Sequence, residues 1–466
     1  MTDPTDTVIA ALRTALGSRA VLTGSEIPAR NAQDATLKPA TPPAALVLPR
    51  TTEDVSTALR ICHDAHHPVV TQGGMTGLAA GAHPGSGEIA LSLEKMSGIE
   101  EVDVASATLT ALAGTPLQTV QDAAKGAGLL CGIDLGARGS CSIGGNVATN
   151  AGGNQVLRYG MARRNVLGLE AVQADGTVLR SLNKMLKNNT GYDWTQLLIG
   201  SEGTLGVITR VVLGLHPMPG PTQTALVALS SAEAATALLR RTEGAFGAGL
   251  LVFEGMWREF IDVAVARVGL PGPFDAPHEI CVLVEVAPGG TDGAERFADM
   301  LGACLNDGAI SDARIAQSTA DAARIWAYRE SVYDYAKFQT GFAGFDISVP
   351  RPDMAAAVAD IRAAAAAHWP DALNVIFGHI ADCNLHLIVG PTDGSRDLPD
   401  AEKHRIEATI YPIVGTHHGS VSAEHGIGRT KRDYLSLSRS APELALMRTI
   451  KAAMDPHGIL NPGRVL

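Results

Sequence analysis

The hydrophobic positions of this 466-residue chain alternate between short apolar runs and longer stretches with helical spacing, which predicts a mixed α and β protein. Residues 5–20 have the spacing of one amphipathic helix. From Ala45 the pattern predicts a strand, a helix over Thr52–His66 with Thr51 as its N-cap, and a second strand at Pro68–Thr71. A Gly-rich loop and a further strand follow.

A cluster of proline and glycine at His216–Pro221 predicts a domain boundary. Beyond it, strands alternate with helices, which is typical of an α+β sheet domain with helices on one face. The predicted strands are Gln223–Leu229, Glu279–Val286, Phe345–Val349, Leu373–Gly378 and Leu385–Val389. The predicted helices are Ala232–Thr242, Ala294–Asn306, Ala320–Phe338, Asp353–His368 and Ala401–His417. We therefore predict a helix and connector over residues 1–44 and domains over 45–219 and 220–466, with the chain end returning to the first domain.

Two Gly-rich segments lie in the first half of the chain, at Gln72–Ala82 and Asp134–Gly153. Their residues are mostly small or polar, so they bury little apolar surface, but their backbone can approach a flat polar ligand closely. A tight turn needs only one or two glycines, and two such long segments together predict a nucleotide cofactor. Neither the G-x-G-x-x-G pattern of a Rossmann site nor the G-x-x-x-x-G-K-[ST] pattern of a P-loop occurs.

Composition narrows the classes of partner. The formal net charge is −11 and the basic residues form no stripe, so nucleic acid is not an expected partner. No window approaches 18 uninterrupted apolar residues, so no membrane span is predicted. Six scattered cysteines without a C-x-x-C pair, and an acidic N-terminus without signal-peptide features, predict reduced thiols in a cytoplasmic protein.

Both Gly-rich segments, together with Arg158–Thr177 and Asn189–Thr209, resemble the vanillyl-alcohol-oxidase-type FAD-binding domain. With the closing segment Asp455–Gly463, they resemble more narrowly the FAD-linked D-2-hydroxyacid dehydrogenases, which include the D-lactate, D-2-hydroxyglutarate and glycolate group. The resemblance implies an α+β fold with a two-part FAD-binding domain over residues 45–219. The C-terminal domain would be an α+β substrate domain with an antiparallel sheet.

The resemblance also implies which residues bind FAD. The family uses a Gly-rich pyrophosphate loop, a second small-residue loop and a strand near the isoalloxazine ring. In this sequence the corresponding residues are Gln72, Gly73, Gly74, Met75, Thr76, Gly77, Leu78, Gly139, Ser140, Ile143, Gly144, Gly145, Asn146, Thr149, Asn150, Gly206, Ile208 and Asn461. Some relatives attach the flavin through a histidine in the first loop. Here that loop contains no histidine before His83, so we expect non-covalent FAD.

A pair of histidines lies in the C-terminal half of the chain. His379 and His386 flank a predicted turn at Asp382-Cys383, which would place the two imidazoles directly opposite each other on neighbouring strands. At that separation they can share a divalent ion. Cross-strand histidines without a metal are also common, so the pair alone leaves both interpretations open.

The Gly-rich turn Ser420–Gly428 contains a carboxylate beside an imidazole, Glu424 and His425. This turn and the segment around the two histidines resemble blocks of the same dehydrogenases. The resemblance implies that His379, His386 and Glu424 bind a divalent metal, usually zinc and sometimes manganese or iron. His425 would be the general base. Two His and one Glu suit an ion that keeps a position open for substrate.

The reaction that the family implies requires three functions from the site. Oxidation of a 2-hydroxyacid removes the hydroxyl proton and transfers the α-hydrogen to flavin N5 as a hydride. His425 would take the proton, since imidazole titrates near neutral pH. A metal ion would lower the pKa of the substrate hydroxyl, and the substrate carboxylate needs a cation.

Arg329 is the candidate cation. Trp326, Arg329 and Tyr333 share one face of the predicted helix Ala320–Phe338. The Trp-x-x-Arg-Glu pattern resembles the family's, in which that arginine faces substrate, and Tyr333 and Asn384 are further expected substrate contacts. The alternative is that Arg329 pairs with an acid on a solvated helix face.

Departures from the hydroxyglutarate-type members bear on the substrate. Where those members have a lysine and an asparagine, this chain has Gly344 and Ile388. The G-D-G-N that is common in the wider family stands here as Ala381–Asn384. Losing a cation and an amide removes partners for a second carboxylate, which is costly to bury unpaired. We therefore predict D-lactate or an apolar-tailed D-2-hydroxyacid as the substrate, with D-2-hydroxyglutarate as the alternative.

Other functions stay open from the sequence. One is a redox-neutral flavoenzyme resembling alkyl-dihydroxyacetone-phosphate synthase; others are a non-catalytic electron carrier and a metallohydrolase without flavin. For a dehydrogenase, we expect an external electron acceptor such as an electron-transfer flavoprotein, a cytochrome or a quinone. A homodimer is compatible with the sequence.

Overall fold

The computed structural model describes residues 3–36, 38–339, 341–391 and 398–466. The chain forms two compact units, which are Met1–Met218 with Glu424–Leu466, and Pro219–Ala423. We call them the first and the second unit. The return of the chain to the first unit therefore begins at Glu424, whereas the sequence led us to place Glu424 in the second domain.

Eighteen strands are described. They are β1 (Val21–Leu22), β2 (Ala45–Val47), β3 (Val69–Gln72), β4 (Ile89–Ser92), β5 (Ile99–Asp103), β6 (Thr108–Leu112), β7 (Leu129–Leu130), β8 (Val166–Val172), β9 (Val178–Ser181), β10 (Val207–Gly214), β11 (His216–Pro217), β12 (Gln223–Leu229), β13 (Leu250–Trp257), β14 (Ile280–Val286), β15 (Asp312–Ile315), β16 (Ala343–Ser348), β17 (Ala372–His379) and β18 (Asn384–Pro391).

Fourteen α-helices accompany the described strands. They are α1 (Pro4–Leu16), α2 (Thr52–Asp64), α3 (Leu117–Gly126), α4 (Ile143–Ala148), α5 (Val156–Tyr159), α6 (Ala162–Asn165), α7 (Thr195–Leu198), α8 (Ala232–Phe246), α9 (Arg258–Val263), α10 (Gly293–Asn306), α11 (Thr319–Glu330), α12 (Met354–His368), α13 (Asp400–Thr416) and α14 (Ala441–Met454). No described helix combines the length and the apolar character that a membrane span requires.

The first unit contains two main sheets. One has the order β1-β2-β4-β3, with β4 parallel to both β2 and β3, and the other is antiparallel with the order β5-β6-β10-β8-β9. Val8 and Leu12 of α1 are buried in the same core as Leu59 of α2, so the N-terminal helix belongs to this unit. Near the other end of the chain, the Asn461 N–H donates to Val69 O of β3.

The second unit is built on one antiparallel sheet with the order β15-β12-β14-β13-β17-β18-β16. Five of its strands lie close to their predicted positions, while β13 and β15 were not predicted. The predicted helix Ala320–Phe338 is wrong in length, because α11 ends at Glu330 and a 3₁₀ helix, Ser331–Lys337, follows it. This change of helical period moves Tyr333 away from the face that it was predicted to share with Arg329.

Candidate functional site

The two Gly-rich segments of the first unit pack directly against each other. A Cβ atom on Gly74 would lie 2.7 Å from the Cα atom of Cys141 and would overlap the carbonyl oxygen of Ser140. A Cβ atom on Gly73 would lie 2.5 Å from Ser142 Oγ. The backbone around Gly74 leaves no room for a side chain, which explains the glycine there, whereas a side chain at position 73 would displace the Ser142 hydroxyl.

The loop that follows β3 has backbone N–H groups that make no hydrogen bond to the described residues. Within the described part of the chain, none of the N–H groups of residues 73–78 donates a hydrogen bond. Leu78 at the tip is 48% exposed, and Met75 has a left-handed φ of 60°. Consecutive free N–H groups on a loop attract an anionic ligand, so this loop fits the pyrophosphate of a dinucleotide.

The second predicted loop continues into α4. Gly144 is held against Ala113, whose carbonyl oxygen accepts its N–H at 2.8 Å. Ile143 and Asn146 are buried, whereas Ser140 is exposed, and a Cβ on Gly139 would meet nothing within 4 Å. The exposed start of this loop is therefore the part that is accessible to a ligand.

The remaining predicted FAD residues lie on the same unit and fix its loops. Thr149 Oγ1 donates to the Gly145 carbonyl oxygen at 3.1 Å, and Asn150 Oδ1 accepts the Arg163 N–H at 2.9 Å. Gly206 directly precedes β10, which contains the buried Ile208.

Gln72 and Asn461 use their side chains within the protein. Gln72 Nε2 donates to the Asn31 backbone carbonyl oxygen at 2.9 Å, and Asn31 Nδ2 donates to Gln72 Oε1 at 3.0 Å. Asn461 Oδ1 accepts the Thr71 N–H at 2.8 Å and its Nδ2 donates to the Glu202 carbonyl oxygen at 2.6 Å. Both side chains thus fix the backbone where β3 leads into the first Gly-rich segment.

The turn that contains Glu424 and His425 is bonded to these same loops. Glu202 accepts the N–H groups of Ile427 at 2.7 Å and Gly428 at 2.8 Å, and the Arg429 N–H donates to Ala79 O at 2.9 Å. Glu424 Oε1 accepts the Gly153 N–H at 2.6 Å. His425 is therefore part of a segment that contacts both Gly-rich segments and the segment Asn189–Thr209.

Glu202 was missed as a site residue. It lies within the segment Asn189–Thr209, but its role depends on the turn Ser420–Gly428, more than two hundred residues away in the sequence. Burial raises the pKa of its carboxyl, although the N–H groups of Ile427 and Gly428 act in the opposite direction. Two N–H groups on one carboxylate fix the turn that follows His425.

In the second unit, the predicted register of the histidine hairpin is wrong. His386 of β18 faces Phe377 of β17, because a 3₁₀ turn, Ile380–Asp382, and a left-handed Cys383 (φ 72°) replace the predicted two-residue turn. His379 is two residues from Phe377 and so lies diagonal to His386. The ring centres of the two histidines are 5.5 Å apart. Two imidazoles on one tetrahedral ion have ring centres about 5 Å apart, so the pair fits a shared metal.

A carboxylate lies beside each of these two imidazoles. Glu254 of β13 pairs with His379 Nδ1, and Asp346 Oδ1 of β16 lies 3.7 Å from His386 Nδ1. Asn384 is buried and donates its amide to Asp346 Oδ1 at 2.8 Å and to Ile347 O at 3.0 Å. In the structure the Asn384 amide therefore orients Asp346. Its contact with substrate stays a prediction.

Arg329 lies in the same buried cluster, at 7% exposure. Its Nε donates to Glu254 Oε2 at 2.7 Å and its guanidinium lies 4.9 Å from the centre of the Phe377 ring. Burial opposes ionisation of the Glu254 carboxyl, but its contacts with His379 and with the charged Arg329 outweigh burial and lower its pKa to about 2. Arg329 does pair with an acid, but in the interior rather than on a solvated helix face.

The terminal nitrogens of Arg329 make no hydrogen bond to any residue that the structure describes. A buried guanidinium with unused donors is costly unless a ligand supplies acceptors. Tyr333, in contrast, is 61% exposed. The structure therefore joins Arg329 with His379 and Glu254, and leaves Tyr333 outside that buried group.

Comparison with known proteins agrees with these features. The chain matches the family described as "FAD linked oxidases, C-terminal domain" over residues 218–465 and an "FAD binding domain" over 43–181. It is 40% identical to a D-2-hydroxyglutarate dehydrogenase of Xanthomonas citri pv. viticola, covering 91% of this chain and 89% of that protein. It is 39% identical to the mitochondrial D-2-hydroxyglutarate dehydrogenase of Bos taurus, covering 90% and 76%.

A solved structure of p-cresol methylhydroxylase with bound substrate superimposes with a TM-score of 0.79 at 16% identity, covering 100% of this chain and 97% of that one. The fold is accordingly that of the vanillyl-alcohol-oxidase-type flavoenzymes, with an α+β architecture as predicted. Within that class, the chain belongs to the FAD-linked D-2-hydroxyacid dehydrogenase family, and it is an FAD-dependent oxidoreductase.

Proposed function

We propose that the protein oxidises a D-2-hydroxyacid to the 2-oxoacid with FAD and a divalent metal ion, and passes the electrons to an external acceptor. The observation that carries this proposal is the buried group of Arg329, Glu254 and His379 beside His386. It combines a cation with unused donors and two imidazoles at a spacing suited to one metal. That combination suits a substrate with a carboxylate next to a hydroxyl.

The proposed metal ligands are His379, His386 and Glu424, with zinc as the expected ion. The contact between Glu254 and His379 Nδ1 supports this, since metal-bound histidines generally donate their second N–H to a carboxylate. Glu424 directly follows Ala423, whose N–H donates to the Asp346 carbonyl oxygen at 3.2 Å. Asp346 is in turn the register partner of His386. Because Ala423 and the proposed third ligand Glu424 are consecutive, their Cα atoms are about 3.8 Å apart.

The chain's own residues would divide the work of the reaction. Arg329 binds and orients the substrate carboxylate through its terminal nitrogens, and His425 takes the hydroxyl proton. Bound FAD supplies the hydride acceptor, and a bound divalent ion supplies positive charge that favours the deprotonated hydroxyl. The contacts of Glu202 with Ile427 and Gly428 hold the turn of His425 so that the base keeps its position.

The substrate is proposed to be D-lactate or a D-2-hydroxyacid with an apolar tail, although the relatives compared above are named for D-2-hydroxyglutarate. Gly344 and Ile388 are register partners on β16 and β18, next to the pair of Asp346 and His386 and on the same face of the sheet. Ile388 packs in an apolar cluster with Phe377. The sheet beyond the metal histidines thus lacks a partner for a second carboxylate at both replaced positions.

Substrate preference gives one test. Anaerobic reduction of the flavin by D-lactate or a longer apolar D-2-hydroxyacid should show kcat/KM about 10-fold or more above that with D-2-hydroxyglutarate. Ile388→Asn restores the amide of the hydroxyglutarate-type relatives and should narrow this ratio, whereas the control Ile388→Leu should not. A wild-type preference for D-2-hydroxyglutarate would contradict the substrate proposal but not the dehydrogenase. A flavin that no hydroxyacid reduces would favour the redox-neutral synthase.

Flavin attachment gives a second test. Because the first loop contains no histidine before His83, purified protein should be yellow and should release all of its FAD into the supernatant on acid precipitation. The absorbance spectra of the supernatant and the redissolved pellet measure this. Colour that stays in the pellet would refute non-covalent binding, and colourless protein that cannot be reconstituted with FAD would favour a metallohydrolase.

We also propose a cytoplasmic location and a class of electron acceptor. The six cysteines are free thiols in the structure, five of them buried, which suits the reducing conditions of a cytoplasmic location. The electron acceptor is proposed to be an electron-transfer flavoprotein, a cytochrome or a quinone. Activity with each in a reoxidation assay, after reduction of the flavin by the preferred hydroxyacid, distinguishes them.

A further inference from the structure

We propose that Glu254 is a positioning residue that holds both a metal ligand and the substrate-binding arginine. This inference rests on the proposed function, because it assigns the means by which His379 and Arg329 keep their orientations. The carboxylate has two oxygens and each is used by a different partner: Oε1 by His379 Nδ1 and Oε2 by Arg329 Nε.

The backbone brings the three residues together from three distant parts of the chain. Glu254 lies in β13, His379 lies directly opposite it in the register of β17, and Arg329 lies near the end of α11. Glu254 is 2% exposed and its strand is in the middle of the seven-stranded sheet. A carboxylate at such a site is fixed by its neighbours, so its oxygens direct their partners accurately.

For His379, the contact selects one tautomer. A carboxylate can only accept, so the Nδ1 atom of His379 carries the hydrogen and Nε2 keeps the lone pair that a metal needs. A carboxylate of this kind also strengthens the ligand, and its loss commonly weakens metal binding about 10–100-fold. Glu254 therefore acts on the metal through His379 without being a ligand itself.

For Arg329, the same carboxylate accepts the hydrogen bond from Nε and leaves the two terminal nitrogens to bind substrate. The guanidinium of Arg329 lies over the ring of Phe377, so the ring and the Glu254 carboxylate together restrict rotation of the arginine side chain. A planar fork with a fixed edge binds a second carboxylate in a single orientation. Glu254 would thereby fix the terminal nitrogens of Arg329, which would bind the substrate carboxylate, relative to the His379 imidazole, which would bind the metal.

A purely structural role explains these contacts less well. A buried ion pair is often no more stabilising than apolar residues of the same volume, and Met256 and Phe377 on neighbouring positions are apolar and buried. Glu285 on the adjacent strand β14 shows what a structural carboxylate looks like here. It accepts Trp326 Nε1 of α11 at 3.1 Å and Thr224 Oγ1 at 2.9 Å, and neither partner belongs to the candidate site.

The test compares Glu254→Gln with the matched control Glu285→Gln, which alters a carboxylate that contacts the same helix α11. FAD content, Co²⁺ affinity in equilibrium dialysis, the visible Co²⁺ spectrum, and KM and kcat for the hydroxyacid that reduces the wild type best are measured for each. An amide cannot accept from both partners. We expect Glu254→Gln to keep its FAD, to bind Co²⁺ about 10–100-fold more weakly with an altered spectrum, and to raise KM about 10-fold or more.

A second variant keeps the test decisive if Glu254→Gln is not soluble. Glu254→Asp keeps the charge but is one methylene shorter and cannot reach both partners, so Co²⁺ affinity or KM should still change by several-fold, and by less than in a soluble glutamine variant. Unchanged Co²⁺ affinity and KM in the tested Glu254 variant overturn the inference, as do equal losses in Glu285→Gln. If the wild type binds no Co²⁺, the proposed metal dependence fails by itself, and the KM comparison still decides the Arg329 contact.

Discussion

His386→Ala is expected to abolish metal binding and turnover together while leaving FAD in place. Removal of an outer partner of a ligand alone weakens metal binding about 10–100-fold, so removal of a ligand itself should lower affinity by more than about 100-fold. The two Gly-rich segments that are proposed to bind FAD belong to the first unit, whereas His386 belongs to the second. Loss of the metal should therefore leave the FAD content unchanged. Metal content by mass spectrometry, FAD absorbance and the steady-state rate test this.

The control for this variant is His404→Ala. His404 is an exposed histidine of the same unit, on α13, whose Nδ1 contacts the carbonyl oxygen of Asp400. It should keep metal, flavin and rate. Treatment of the wild type with a chelator should reproduce the His386→Ala result, and addition of Zn²⁺ should reverse it. A metal-free His386→Ala protein with full activity would exclude the metal from the mechanism.

Local patterns were sufficient for most of the second unit. The strand Gln223–Leu229 was predicted with the bounds that the structure shows, because its apolar run begins after a Pro/Gly cluster and ends before the helix cap Ser231. β13 was not predicted, although its sequence Leu250–Trp257 is a continuous apolar run with one glutamate. A charged residue within an apolar run is a signal of a buried functional group that sequence analysis can use.

The errors came from features that local spacing does not encode. The histidine register depends on whether the chain turns in two residues or through a 3₁₀ turn, and a left-handed cysteine at position 383 is uncommon for a residue with a side chain. The end of α11 at Glu330 has no glycine or proline to mark it.

The proposed site residues differ in the same way. Short motifs contain the proposed metal ligands His379, His386 and Glu424 and the proposed base His425, so the sequence was enough to single them out. Glu254 could not, since it becomes important only when β13 pairs with β17, across more than a hundred residues of sequence. Residues proposed to touch a metal or substrate are therefore easier to find in a sequence than residues proposed to orient those side chains.

His425→Ala should retain FAD and metal but reduce the flavin about 10²–10⁴-fold more slowly, the usual effect of removing a general base. The Glu202 contacts hold the turn through the backbone N–H groups of Ile427 and Gly428, so loss of the imidazole should leave the turn folded. Single-turnover stopped-flow measurement of flavin bleaching isolates this step from reoxidation by the acceptor.

A matched histidine variant and added imidazole serve as the controls for His425→Ala. His457 lies in the same returning segment, but its ring contacts His63 and His66, so His457→Ala should bleach at the wild-type rate. Added imidazole should restore part of the rate to His425→Ala and none to His386→Ala, because it can replace a proton acceptor but not a tethered metal ligand. An unchanged single-turnover rate in His425→Ala at neutral pH would show that another group takes the proton.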